Sequence, residues 1–235
     1  MRESMRPERR DLLIAAVSIV LLLSYYAAFV RAVDVSSLVL NFNGSREKGG
    51  IPRPWTLKLK EGRADVGIVP DHGEHVLHVK SASASFALER DFIVEPSDYP
   101  YMIWTWRAAK LPLSGDIRKE GFDDQALQIL VAFENRRIIN YVWDSNAPEG
   151  TVADESIPWP VSLRIKAVVV RSGASDAGRW VIQKRNIQED YHNLFHEPPP
   201  RIKGIRIQTN TQYTKGVAEG YVRNIVFSRT SGTGS

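Results

Sequence analysis

Cysteine is absent from the 235 residues of the chain. Disulfides, thiolate nucleophiles and zinc–sulfur sites are therefore excluded. Glycine-rich phosphate loops and the G-x-S-x-G turn of serine hydrolases are missing as well. The Arg171-Ser172-Gly173 stretch is typical of a turn instead. With 43% apolar residues the chain can form a core without covalent staples. We expect no cofactor.

Basic residues are not clustered. The 31 lysines and arginines and the 27 acidic residues give a formal net charge of +4, and acidic residues are interleaved along most of the chain. A nucleic-acid-binding domain usually carries a concentrated basic patch. Nucleic acid is therefore not an expected partner.

A long apolar run lies near the N-terminus. Residues 12–30 are long enough to cross a hydrocarbon core of about 30 Å as a helix. Arginines are concentrated before the run, which predicts a cytoplasmic N-terminus and an exported remainder. The expected order is a cytoplasmic stub (1–11), a transmembrane anchor (12–30), a spacer (31–36), a β-sandwich domain (37–230) and a flexible tail (231–235).

The anchor reading predicts a single-pass protein of the cytoplasmic membrane, with its domain in the periplasm or outside. A cleaved signal peptide is the main alternative, because Val30 and Ala32 supply a small-residue cleavage pattern. A buried core helix is a further alternative. The run exceeds the usual signal core of about 7–15 residues, which favours retention.

After residue 36 the chain alternates short β-branched or aromatic runs with turn residues. This pattern is typical of an antiparallel sandwich or barrel. The candidate strands are Ser37–Phe42, Trp55–Leu59, Ala64–Val69, His75–Lys80, Ser85–Leu88, Tyr101–Arg107, Ala126–Phe133, Ile138–Trp143, Ser162–Arg171, Arg179–Arg185, Lys203–Thr209 and Ala218–Ser228.

One short helix is predicted over Asn186–His196. Asn186 can cap its N-terminus, Glu189 stands where a capping box needs an acid, and a run of prolines from Pro198 ends it. Ile187, Tyr191, Leu194 and Phe195 form its apolar stripe.

Strand alternation predicts which faces are buried. In the strand that ends at Phe133, one face carries Leu127, Ile129, Val131 and Phe133, and the other face carries Gln128. In later strands basic and amide residues alternate with apolar ones, which predicts a polar, mildly basic outer face if these strands share a sheet. A solvated surface is one interpretation, and a binding face for a polar or acidic polymer is the other. The alternating polar residues are Arg164, Lys166, Gln183, Arg185, Arg206 and Gln208.

Several motifs occur together in the second half of the chain. They are Trp104-Thr105-Trp106, Asp123-Asp124-Gln125, Asn140-Tyr141-Val142-Trp143, Val170-Arg171-Ser172-Gly173, the run from Trp180 to Phe195, Pro199 with Gly204-Ile205, and the segment from Thr209 to Phe227. Together these motifs resemble a bacterial family known as domain of unknown function 3047. The resemblance implies an exported β-sandwich similar to the jelly rolls of many carbohydrate-binding modules, with no established activity. The family usually carries acidic residues in its closing stretch, where this chain has Asn210 and Gln212.

Acidic residues near strand and helix ends are the catalytic candidates, because glycoside hydrolysis needs two carboxylates across a cleft. Asp124 is the first candidate and Asp190 the second. The alternatives are turn formation by Asp123 and an ion pair of Asp190 with Arg171 or Arg185.

No metal site is predicted. His72, His75 and His78 recur every third residue, and imidazole is a common ligand. On a strand, however, residues three apart point to opposite faces, so His75 and His78 do not converge.

Loop residues are the better ligand candidates because binding residues concentrate on loops. They are Trp159, Asn210, Gln212 and Tyr213, whereas Trp104, Trp106 and Trp143 are assigned to the core. The leading hypothesis is noncatalytic recognition of envelope carbohydrate. The alternatives are an envelope glycan hydrolase and a structural protein-interaction domain, whose protein partners the sequence does not name.

Overall fold

The computed structural model describes residues 36–43, 50–158 and 160–232. The predicted anchor at 12–30 lies outside them. In the described part, no helix is both long and apolar enough to span a membrane. The elements are β1 (Ser37–Leu40), β2 (Thr56–Glu61), β3 (Asp65–Asp71), β4 (Glu74–Ala82), β5 (Ser85–Val94), β6 (Tyr101–Lys110), β7 (Leu127–Phe133), β8 (Arg137–Asp144), β9 (Val152–Asp154), β10 (Arg164–Ser172), β11 (Val181–Asn186), α1 (Ile187–Phe195), β12 (Ile202–Asn210) and β13 (Val217–Ser228).

The strands form two sheets. The back sheet has the order β11-β6-β13-β4-β3, with β1 paired to β13. The front sheet has the order β2-β5-β12-β7-β8-β10-β9. The predicted β-sandwich is confirmed, and each candidate strand overlaps an observed one.

An aromatic layer fills the space between the sheets. Trp104 and Trp106 of β6 lie 5.4 Å apart, edge to face. From the front sheet Tyr141 meets Trp104 at 5.3 Å and Trp143 meets Trp106 at 5.6 Å. All four rings are fully buried, as alternation along β6 and β8 dictates. The assignment of the tryptophans to the core is confirmed.

Helix α1 follows the prediction closely. The Asn186 side chain accepts hydrogen bonds from the backbone N–H groups of Gln188 and Glu189. His196 ends the helix in a left-handed conformation. Tyr191 packs at 4.6 Å from Phe133, so the apolar stripe closes one end of the core.

Two features of the front sheet differ from the expectation. The short edge strand β9 was not predicted, and β10 runs parallel to β8. A parallel pair needs a crossover of about a dozen residues or more. Residues 145–163 supply that length and include β9, which pairs with the outer side of β10.

The predicted polar face was wrong for β11. This strand belongs to the back sheet, where Gln183 pairs with buried Trp104 and therefore faces inward. Ile182 is 65% exposed on the opposite side. Because β11 is an edge strand, its inward side chains lie at the margin between the sheets. There Arg185 binds Asp190 of α1, so a polar side chain can point inward.

Lys166 of β10 shows the same effect. It is in register with the core residue Ile139 and therefore points inward, and at the margin of the sheet its Nζ atom lies 2.8 Å from Asp154 Oδ2. Of the predicted polar residues, Arg206 and Gln208 lie on the outer face of the front sheet, in register with Leu130 and Gln128.

Candidate functional site

The outer face of the front sheet carries a group of amide side chains, here called the amide cluster. Gln128 and Asn140 stand on β7 and β8, opposite the core, yet are only 3% and 1% exposed. The segment between β6 and β7 closes over them and adds Gln125. The interpretation of this face as simply solvated is wrong at its centre. The cluster comprises Gln125, Gln128, Asn140, Gln208 and Asn210.

Hydrogen bonds link these amides into a chain. Gln128 donates to Gln125 Oε1 at 2.7 Å and to Asn210 Oδ1 at 2.6 Å. Asn140 Nδ2 donates to Gln128 Oε1 at 3.0 Å, and Gln208 Nε2 approaches the same oxygen at 3.4 Å. Each amide offers both donors and acceptors, so neighbouring amides in the row can bond to one another.

A carboxylate stands at each end of the chain. Gln125 Nε2 donates to Asp123 Oδ1 at 2.7 Å, and Asn140 Nδ2 donates to Glu155 Oε2 at 3.1 Å. Both acids are half-buried. Burial raises the pKa of Asp123, with the nearby charge of Asp124 adding to it. Burial and then the charge of Asp123 raise the pKa of Glu155 to about 7. The two carboxylates are thus close enough to influence each other electrostatically.

An open groove adjoins the amide cluster. It has a volume of about 400 Å³ and is lined by β2, β5 and β12. Gln208 belongs to both the groove and the cluster, and Lys60 of the groove lowers the pKa of Asp123 by its charge. The groove therefore shares Gln208 with the amide cluster and lies close enough to Asp123 for the charge of Lys60 to act on it. Its polar lining is Lys58, Lys60, Ser85, Glu89, Arg206 and Gln208.

Asp124, the first catalytic candidate, is fully buried and clamps two loops together. Its carboxylate accepts from Tyr213 N at 3.2 Å and from Thr214 N and Thr214 Oγ1, both at 2.6 Å. Gly115 approaches so closely that an added Cβ would lie 2.1 Å from the Asp124 carbonyl oxygen. We expect a structural role for Asp124.

Asp190 lies on α1, outside the amide cluster. Its carboxylate binds Arg185 through both oxygens, as one alternative proposed, and accepts from Tyr141 Oη at 2.7 Å. Burial and the charge of Asp190 raise the pKa of Tyr141 well above its usual value. The bonds of Asp190 to Tyr141 and Arg185 hold α1 against the core, beside a cavity of about 290 Å³. The structure does not unite Asp190 with Asp124.

The four ligand candidates have different positions. Asn210 is 2% exposed, and its Oδ1 accepts from Gln125 N at 3.1 Å, so it holds the loop. Gln212 is also buried. Tyr213 is 48% exposed and lies beside the Asp124 clamp. Trp159 lies outside the described residues. Their ligand-binding role stays a prediction, and Tyr213 has the exposure that it requires.

The histidines do not converge. His75 bonds Asn43 Oδ1 at 3.1 Å, whereas His78 bonds Glu219 at 2.9 Å and stacks on Tyr221. His72 occupies a turn with φ +49°.

A second polar cluster covers the outer face of the back sheet. Arg107 stacks over Tyr221 at 4.2 Å and Trp180 at 4.8 Å, and Arg223 stacks over Trp180 at 4.4 Å. Arg223 also pairs with Asp71 at 2.6 Å. In this cluster the arginines therefore already contact aromatic rings and an acid of the same chain.

Sequence reasoning missed Gln128, Asn140 and Glu155 as site residues and treated Asp123 as a turn former. One signal was available: Gln128 and Asn140 are single amides at outward positions within strands that are otherwise strongly apolar. A polar face covered by loops explains that pattern. Glu155 follows a strand of three residues and carried no comparable signal.

We predict that Asp124→Asn lowers the free energy of unfolding by about 1.5–3 kcal/mol, because charge-assisted bonds to the 213–214 backbone are weakened. Chemical denaturation measures the loss. Asp98→Asn, at an exposed position, is the matched control and should change stability by less than about 0.5 kcal/mol. Equal stability of the two variants would show that the clamp contributes nothing.

We predict a pH-dependent effect of Glu155→Gln. Between the ordinary value of 4.5 and about 7, folded Glu155 holds a proton that the unfolded chain has lost. The stability it contributes is therefore complete below 4.5 and is lost as the pH rises through about 7. Denaturation at about pH 8 should show Glu155→Gln more stable than the native chain by on the order of 1–3 kcal/mol. The difference should vanish near pH 4.5. A constant difference at both pH values would contradict the proposed environment of Glu155.

Comparison with solved structures finds similar chains at low identity. One is the xyloglucanase domain of NopAA, a type three effector from Sinorhizobium fredii, at 9% identity and a TM-score of 0.47, covering 74% of this chain and 92% of that one. Another is the family 11 carbohydrate-binding module of the cellulosomal cellulase Lic26A-Cel5E of Clostridium thermocellum, at 10% identity and a TM-score of 0.43, covering 83% and 95%.

A search of the curated proteins finds no match to the chain. One family model matches residues 53–226, which include every strand from β2 to β12 and most of β13. The motifs singled out in the sequence lie largely within this range. The chain belongs to the family described as "Protein of unknown function (DUF3047)".

Proposed function

We propose that the domain binds a polysaccharide of the bacterial envelope in the groove on the front sheet. The observation that carries this proposal is the groove of about 400 Å³ that runs into the amide cluster. Its volume is within the range of known ligand sites. The exposed strand β2 forms one wall, so an extended chain could enter from the side.

The chemistry of the lining suits sugar hydroxyl groups. A hydroxyl both donates and accepts, and Gln208 and Glu89 present matching groups at the groove. Tyr213 and Phe122, which are 48% and 43% exposed, flank the segment that carries Asp123 and Asp124. A flat ring there can stack on the apolar face of a sugar.

Charge favours an anionic polymer. Lys58, Lys60 and Arg206 line the groove against one carboxylate, that of Glu89. Arg206 pairs with Glu89, and Lys58 lies 4.0 Å from it. The charge of Lys60 also lowers the pKa of Asp123. We expect uronate- or phosphate-bearing glycans to bind more tightly than neutral ones, and added salt to reduce that preference.

We predict that Gln208→Ala weakens glycan binding about tenfold, because it removes a hydrogen-bonding group from the groove. Affinity electrophoresis in gels containing an anionic or a neutral polysaccharide, with sedimentation on insoluble peptidoglycan, measures the binding. Gln188→Ala, the same substitution on α1, is the matched control and should retain native affinity. If the native chain is not retarded by any of these polymers, the proposal fails.

The location in the envelope is proposed from the apolar segment 12–30 and the arginines before it. We predict that an N-terminal epitope stays in the membrane fraction after washing with high salt, and that alkaline phosphatase fused after residue 235 is active in bacterial cells. Loss of the epitope from the mature protein would indicate cleavage. An inactive fusion would contradict export.

A further inference from the structure

We propose that Asp123 and Glu155 act together as the acid–base pair of a glycoside hydrolase, cleaving the polymer that the groove binds. This inference rests on the proposed function and adds an activity to it. It differs from the noncatalytic binding that the sequence predicts, and it replaces Asp124 and Asp190 as the catalytic candidates.

Position separates these two carboxylates from the other acids of the same region. Asp116, Asp124 and Asp144 are fully buried and are occupied by loop contacts: a bidentate Arg118 binds Asp116, and backbone N–H groups bind the other two. Asp123 and Glu155 remain half-buried and accept hydrogen bonds mainly from the amide cluster. Of these five acids, they are the pair with surface left for a substrate.

The amide cluster fixes the pair. Asp123 is held by Gln125, Gln125 by Gln128, Gln128 by Asn140, and Asn140 by Glu155. Gln128 lies on β7 and Asn140 on β8, and these two strands pair in antiparallel register. The spacing of the two acids is therefore fixed by rigid elements of the front sheet. Catalytic groups require such preorganisation.

An independent feature points to a ligand beside Glu155. Asn140 is 1% exposed, and its Oδ1 has no hydrogen-bond partner among the described residues. The Nδ2 atom of the same amide contacts Glu155 Oε2 at 3.1 Å, so the unpartnered oxygen lies next to the acid. A buried acceptor without a partner is costly, and a sugar hydroxyl bound at this point would donate to it.

The two environments suit opposite roles. Burial and the charge of Asp123 raise the pKa of Glu155 to about 7, so Glu155 keeps a proton near neutral pH. Burial raises the pKa of Asp123 as well, but the hydrogen bond from Gln125 and the charge of Lys60 oppose that rise. Of the two carboxylates, Asp123 is the one on which a nearby cation acts. Carboxylates in contrasting settings provide the acid and the base in glycoside hydrolysis.

The reaction balances with water as the only co-substrate. Glu155 donates its proton to the glycosidic oxygen as the bond from that oxygen to the anomeric carbon breaks. A water molecule adds to the anomeric carbon and transfers a proton to Asp123. Two hydroxyl-ended chains leave, and exchange with solvent returns the proton from Asp123 and reprotonates Glu155.

The full-length chain is incubated with peptidoglycan and with the polysaccharide that retards its migration most in affinity electrophoresis, and new reducing ends are measured. We expect a bell-shaped pH profile whose alkaline limb reflects Glu155. Asp123→Asn and Glu155→Gln should each lower the rate at least about 100-fold while affinity changes little. Glu155→Asp tests the same position with a carboxylate and should retain part of the activity. Glu189→Gln on the exposed side of α1 is the matched control with native rate.

Each outcome decides between the proposals. Retarded migration without release of reducing ends would overturn the hydrolase inference and leave the binding function intact. Absence of both would overturn both. Activity that survives in Glu155→Gln, or that EDTA abolishes, would also overturn it, because the pair acts without a metal. Near-ultraviolet circular dichroism verifies that each variant is folded.

Discussion

Hydrogen bonding among buried amides organises the outer side of the front sheet. Gln128 and Asn140 lie on a sheet face that loops have closed, so their polar groups depend on partners inside the protein, which all of them except Asn140 Oδ1 find among the described residues. Asn210 reaches across from the end of β12 to complete this bonding and also binds the backbone of the 123–125 segment. The positions of both acids at the ends of the chain follow from that requirement.

The loops over this face are held by charge as well as by amides. Asp144 accepts from Ile117 N, Asn146 N and Ala147 N, and Asp124 accepts from the 213–214 backbone. These two carboxylates are buried and hold the loops in place, whereas Asp123 and Glu155 keep part of their surface accessible to solvent.

Sequence patterns predicted the fold better than the site. Alternation along β6, β7 and β8 identified the core tryptophans and the strand faces, because a strand in a sheet interior has one buried and one outward face. The same rule failed at β11, since an edge strand can send Gln183 and Arg185 inward and still reach solvent or an acid. Whether a strand lies at the edge or at the centre of a sheet depends on pairing between distant segments, which a single sequence does not reveal.

Site prediction depended on contacts between distant segments. Between Asp123 and Glu155 the chain forms three strands of the front sheet, β7, β8 and β9, and Glu155 itself lies in the parallel crossover that leads to β10. Loops were favoured as the source of ligand residues, and that preference selected Asn210, which the structure uses to tie segments together. Tyr213 was chosen by the same reasoning and is exposed. Only the folded arrangement separates the two cases.

The free edge of β2 has a consequence for the solution behaviour of the domain. Its residues are all exposed, and on its outer side its backbone pairs with no other strand of the described residues, so it could accept a strand from another molecule. Lys58 and Lys60 alternate along this edge, and like charges would repel an identical strand laid against it. The lysines that give the groove its charge therefore also oppose edge-to-edge aggregation. Replacing Lys58 and Lys60 to change which glycans the groove prefers would also lower the solubility of the domain.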